Sequence, residues 1–84
     1  MSKWEYCLLI NVWISDDFVL GCQNSRLYGI TSKGLELITD FRTRPKGIDE
    51  KVVVAQTIFQ LGNDGWELAG IEGINGMMFK RPKA

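Results

Sequence analysis

The run from Trp4 to Ile14, WEYCLLINVWI, constrains this chain more than any other stretch. Positions 4, 6, 8, 10, 12 and 14 are Trp, Tyr, Leu, Ile, Val and Ile, and an extended strand places them all on one face. A helix would scatter the same residues around its circumference. The odd positions Glu5, Cys7, Leu9, Asn11 and Trp13 make a mixed face rather than a polar one. A fully solvated face does not normally carry Cys7, Leu9 and Trp13 together. The strand therefore asks for cover on both sides.

Further strands follow. Ser15-Asp16-Asp17 reads as a turn, because short polar side chains bond their own backbone and tolerate turn dihedrals. Phe18–Cys22 reads as a second strand, interrupted at Gln23-Asn24-Ser25 and resumed over Leu27–Thr31. The interruption is either a bulge in one bent strand or a turn between two short ones. Ser32-Lys33-Gly34 turns the chain into Leu35–Phe41, where Leu35, Leu37 and Phe41 keep period two. Arg42 to Gly47, RTRPKG, is a cationic loop in which Pro45 discourages strand pairing.

From Asp49 the period lengthens. Asp49 suits an N-cap, Glu50 the positive end of the helix dipole, and Val54, Ala55, Ile58 and Leu61 recur at helical spacing. Val52-Val53-Val54 opposes this, since β-branched residues lose rotamer freedom in a helix. The spacing prevails, and Gly62 stands where a left-handed C-cap is wanted. Strands over Trp66–Glu72 and Met77–Arg81 close the chain around a Gly73–Gly76 hairpin loop. Trp66, next to Gly65, is expected to lie over the helix end against Ile58 or Leu61.

Composition excludes several chemistries. Ten cations balance ten anions, so the chain has no basic excess to attract a phosphate backbone. With no His, there is no imidazole base, no Ser-His or Cys-His machinery and no His-ligated metal. Cys7 and Cys22 alone cannot complete a zinc site. No secretory signal precedes them, so reduced thiols and a cytoplasmic location are expected, with no membrane span. The 84 residues suffice for one domain, 1–84. No cofactor is implied.

Lys3-Trp4-Glu5-Tyr6, Leu61-Gly62-Asn63-Asp64-Gly65-Trp66-Glu67-Leu68 and Phe79-Lys80-Arg81-Pro82 occur in that order. Together they resemble the signatures of a group of small prokaryotic and phage proteins, domain-of-unknown-function family 4177. The resemblance covers the two ends of the chain and not the stretch from Asp16 to Gly47. It implies a compact α+β fold and no agreed activity, so it assigns no catalytic residue. The same signatures also have an architectural reading. Trp4 and Trp66 would share a core near Phe79, and Glu5 or Glu67 would face Lys80 or Arg81 across neighbouring strands.

Two candidate sites remain. Arg42, Arg44 and Lys46 alternate, so an extended segment would present all three to one phosphate or carboxylate, with Tyr28 or Trp13 stacking beside it. A solvated loop that blunts a sheet edge accounts for the same charges. Cys7, Leu9 and Trp13 are the other candidate, because one helix covers only one face of the sheet and the odd face then requires the 16–47 hairpin region or a second copy. Scattered carboxylates, including Asp16-Asp17 in their turn, make no acid–base pair, and the glycines of GIEGING precede no helix that would cradle phosphate.

The expected architecture is α+β: a twisted antiparallel sheet of about five strands with one helix, about 49–61, on one face. The expected function is a small non-catalytic interaction module acting as a homo-oligomer. The alternative is a protein that binds or sequesters a small anion or nucleotide through the 42–46 loop. Nucleic acid is not an expected partner.

Overall fold

The strand marked by the alternation, Trp4–Ile14 (β1), is the middle of a five-stranded antiparallel sheet. The computed structural model describes residues 3–72 and 76–83, the side chains of 71 and 72 excepted. Leu20–Thr31 (β2) and Gly34–Asp40 (β3) lie to one side of β1. Gly76–Pro82 (β5) and Glu67–Glu72 (β4) lie to the other, giving the order β3-β2-β1-β5-β4. A 3-10 turn, Phe41–Thr43, leads from β3 toward the helix Glu50–Asn63 (α1). The fold is α+β, as the sequence implies.

The first and last strands are direct neighbours, so the two ends of the chain hold one another. Trp4 pairs with Pro82 and the ladder runs to Ile10 opposite Gly76. Glu5 stands opposite Arg81 and forms an ion pair with it; Glu67 stands opposite Lys80 at 3.8 Å. Both cross-strand clamps expected between the signatures are present. The shared core is not. Trp4 lies beneath the Lys80 ammonium on one face, while Trp66 packs against the core on the other, its ring 4.4 Å from the Arg81 guanidinium. Residues 4 and 66 belong to different layers because Lys80 and Arg81, one residue apart on β5, point to opposite faces.

The interruption in β2 is a bulge in one continuous strand. The register jumps from Ile10 opposite Arg26 to Val12 opposite Cys22. Asn11 and Asn24 absorb the distortion with left-handed φ of 59° and 52°, a conformation Asn tolerates better than most residues. Asn11 Nδ2 donates to the Asn24 carbonyl at 3.1 Å, and the buried Ser25 hydroxyl donates to the Asn11 carbonyl at 3.1 Å. The Glu50 carboxylate accepts from the backbone N–H of Ser25 at 2.8 Å and of Asn24 at 3.3 Å. The first helical residue is thereby tied to the bulge, which fixes the side of the sheet on which α1 lies.

That side is the odd face of β1. Val54 and Leu61 of α1 join Cys7, Leu9, Leu27 and Phe79 in the buried core, and Leu9 is 0% exposed. Cys7 and Leu9 therefore do not form an association surface, contrary to the sequence expectation. Trp13 parts from them because the left-handed Asn11 breaks the alternation, and Val12 follows Leu9 into the core instead. Trp13 lies over Gly21, where a Cβ would fall 2.2 Å from its indole nitrogen.

Smaller differences have local causes. Asp49 caps α1 as expected, accepting from the Lys51 N–H at 2.9 Å. The helix runs past Gly62 to Asn63, and Gly65 takes the left-handed conformation with φ 88°. The Trp66 N–H then donates to the Leu61 carbonyl at 2.9 Å, laying a half-buried indole on the helix end. Phe18 belongs to the turn rather than to β2, and Phe41 leaves β3 for the 3-10 turn, where it is buried. Residues 73–75 of the expected hairpin loop lie outside the described residues.

Candidate functional site

With α1 on the odd face, the even face of β1 has no layer over it among the described residues. Leu8 stands opposite Tyr28, and Tyr28 opposite Leu37, giving an apolar row across three strands. One step toward the chain ends, Tyr6, Ile30 and Leu35 form a second row. Met78 carries the first row onto β5. Leu35 is 59% and Leu37 53% exposed, values of a surface strand on side chains suited to a core.

Charge is confined to the margins of this face and is paired there. Lys80 sits 4.4 Å above the Trp4 ring and 3.8 Å from Glu67. Asp40 accepts from Arg42 Nε and Nη2, the latter at 2.8 Å, with Arg26 Nε at 3.7 Å. Arg26 also donates to the Tyr28 hydroxyl at 3.5 Å. The middle of the face carries no charge.

The cationic loop does not gather its three cations. Asp40 caps the 3-10 turn by accepting from the Arg42 N–H at 3.0 Å, so the segment is wound where alternation requires it extended. Arg42 turns back to Asp40. Arg44 turns the other way, donating to the carbonyls of Ile48 at 2.8 Å and Phe41 at 3.0 Å, with Glu50 at 3.6 Å. Lys46 is exposed, and Tyr28 lies in the apolar row. Arg42, Arg44, Lys46 and Tyr28 therefore do not converge on one anion. Arg42 and Arg44 hold the loop that joins β3 to α1.

The Arg42 side chain, then its backbone N–H, holds the Asp40 carboxyl at about 2, below its ordinary value. A carboxyl whose pKa is lower folded than unfolded stabilises the fold above its unfolded pKa, and that contribution disappears as pH falls through the folded value. Asp40 is thus expected to stay ionised well below pH 4. An NMR titration of its side chain checks this, and Arg42→Gln should move the midpoint up toward that of an ordinary aspartate.

Neither thiol is activated. Both cysteines are free; burial pushes Cys7 up to about 11 and is also the main cause that raises Cys22. Both stay protonated at neutral pH, and the thiolate is the nucleophile.

The open face was half legible in the sequence. Its signal is the even run of β1 together with Leu35 and Leu37. No helix among the described residues is long and apolar enough to cross a membrane. A scan against protein-family models and searches of curated proteins and of solved structures returned no match to this chain.

Proposed function

We propose that this protein is a small non-catalytic interaction module that works as a homo-oligomer, with the open sheet face as its self-contact. The uncovered row Leu8, Tyr28 and Leu37 carries the reading. Contiguous apolar patches of this kind mark association surfaces, because isolated soluble domains rarely leave them in water. A second copy suits the face better than a charged partner does. The marginal charges are paired within each copy, the centre is neutral, and the formal net charge of zero gives two copies no reason to repel. A two-fold axis through the face would match each row with its equivalent. Membership of domain-of-unknown-function family 4177, suggested by the terminal signatures, belongs to the same proposal and adds no activity.

The test is the solution mass by sedimentation equilibrium from low to high micromolar concentration. Wild type is expected to exceed the monomer mass, and Leu37→Lys to lower it with an unchanged circular dichroism spectrum. Leu37 is a surface residue of the single copy, so its replacement should alter stability by no more than about 0.5 kcal/mol. A wild-type monomer at every concentration, or an unchanged mass in Leu37→Lys, would refute the open-face contact.

A further inference from the structure

Two features at opposite ends of the molecule complement each other. The long dimension is 44 Å, against 29 and 23 Å for the others. The β5 ladder stops at Ile10 and the β3 ladder at Arg26, so β1 and β2 continue as a two-stranded arm, from Val12 opposite Cys22 to Ile14 opposite Leu20. A hydrogen-bonded turn closes the arm: Ser15 N–H donates to the Val19 carbonyl at 3.0 Å, and Phe18 N–H to the Ser15 carbonyl at 2.9 Å. The turn presents Phe18 at 90% exposure with a left-handed φ of 60°. A bulky aromatic is rarely placed on such a backbone, and less often with its ring in water. Asp16 and Asp17 precede it, and neither is in an ion pair among the described residues.

At the other end, on the helix side, a groove runs between the end of α1 and the β2–β3 hairpin. Two adjoining cavities of about 550 and 310 Å3 share Cys7, Ile38 and Trp66. Leu27 and Leu61 line the smaller one and Lys83 the mouth of the larger. Lys3 adjoins Lys83, accepting its N–H at 2.8 Å, and Lys33 follows Ser32 on the rim. None of these three lysines is in an ion pair among the described residues, and Glu5 is held by Arg81. Against the three stand Glu36, on β3, and Asp64, which lines the smaller cavity, so this end keeps a positive balance where the arm tip is negative.

We propose that the arm of one copy docks into the groove of the next, with Phe18 against Trp66 and Ile38, and Asp16 and Asp17 facing Lys33 and Lys83. An aromatic anchor in an apolar pocket with a charged rim is the usual composition of a contact that dominates an interface. Arm and groove are different surfaces, so the contact is head-to-tail and repeats into a ring or a filament. It extends the self-association reading from a pair to a larger assembly, and uses none of Leu8, Tyr28 and Leu37, although Tyr6 and Ile30 of the second row also line the larger cavity.

The test is run in the Leu37→Lys background, so that the two contacts fail separately. Leu37→Lys should still associate at high concentration, and added salt should weaken this because the rim charges are exposed. Adding Phe18→Ser, or Ile38→Glu, should weaken association at least tenfold with the fold intact, both side chains being exposed. Each doubly substituted protein should be monomeric alone. A one-to-one mixture of the two should form a species of two chains and no larger, since it has one intact arm facing one intact groove. A monomeric Leu37→Lys protein, or association unaffected by Phe18→Ser, or a mixture that stays monomeric, would overturn the arm-in-groove contact.

Discussion

Replacing Leu9 by alanine is expected to lower the unfolding free energy by about 2–5 kcal/mol, the range for truncating a fully buried leucine. Leu9 is 0% exposed, with Cys7 and Val12 beside it on β1 and Val54 above it on the helix. A small domain has only about 5–15 kcal/mol of total stability, so the variant should melt far below wild type. The contrast with Leu37 gives the result its meaning. Leu37→Ala removes a side chain that is 53% exposed in the single copy and should change the monomer's stability little. Urea unfolding at low micromolar concentration, where association is minimal, compares the two directly. If Leu9→Ala unfolds like wild type while Leu37→Ala is crippled, the helix covers the other face.

Phe41→Ala should be comparably severe, at about 3–5 kcal/mol. Phe41 is the only core residue supplied by the 3-10 turn, and it is fully buried. Its loss opens a cavity at the junction of β3 and α1, where Arg44 binds the Phe41 carbonyl and Glu50 anchors the helix to the bulge. Leu35 and Leu37 share its alternation in the sequence but not its burial. Unfolding by urea should show a markedly lower midpoint for Phe41→Ala with little change in slope, and near-native midpoints for Leu35→Ala and Leu37→Ala. Equal losses at the three positions would mean that they share one face.

That run illustrates what the sequence discloses and what it hides. Element type is local and was readable: the alternation from Trp4, the Asp49 cap and the helical spacing to Leu61 each report short-range geometry. Val52-Val53-Val54 is helical because burial of Val54 and the tie from Glu50 outweigh the small cost of β-branching. Which face the helix takes is a non-local choice. Both sides of β1 are apolar enough for a core, and the decision rests on a bulge that leaves Asn24 and Ser25 N–H groups for one carboxylate. The odd face won although the even one looks the more hydrophobic. In β3 the extra residue between Leu37 and Thr39, opposite Tyr28 and Leu27, breaks the period, so Phe41 turns inward while Leu37 stays out. The cations of the 42–46 loop do not converge, for a similar reason. Alternating charges converge only on extended backbone, and the Asp40 cap winds that segment instead. The arm and the groove lie at opposite ends of one copy, a placement no local pattern reveals.

The central claim is that the face opposite the helix is where copies meet. The most direct measurement is a dilution series followed by methyl and aromatic NMR, read residue by residue. The account predicts concentration-dependent shifts at Leu8, Tyr28, Leu37 and Met78, and none at Leu9 or Val54, which are sealed in the core of each copy. Open-face signals that hold their positions from high to low micromolar concentration, while the mass stays that of one chain, would contradict it.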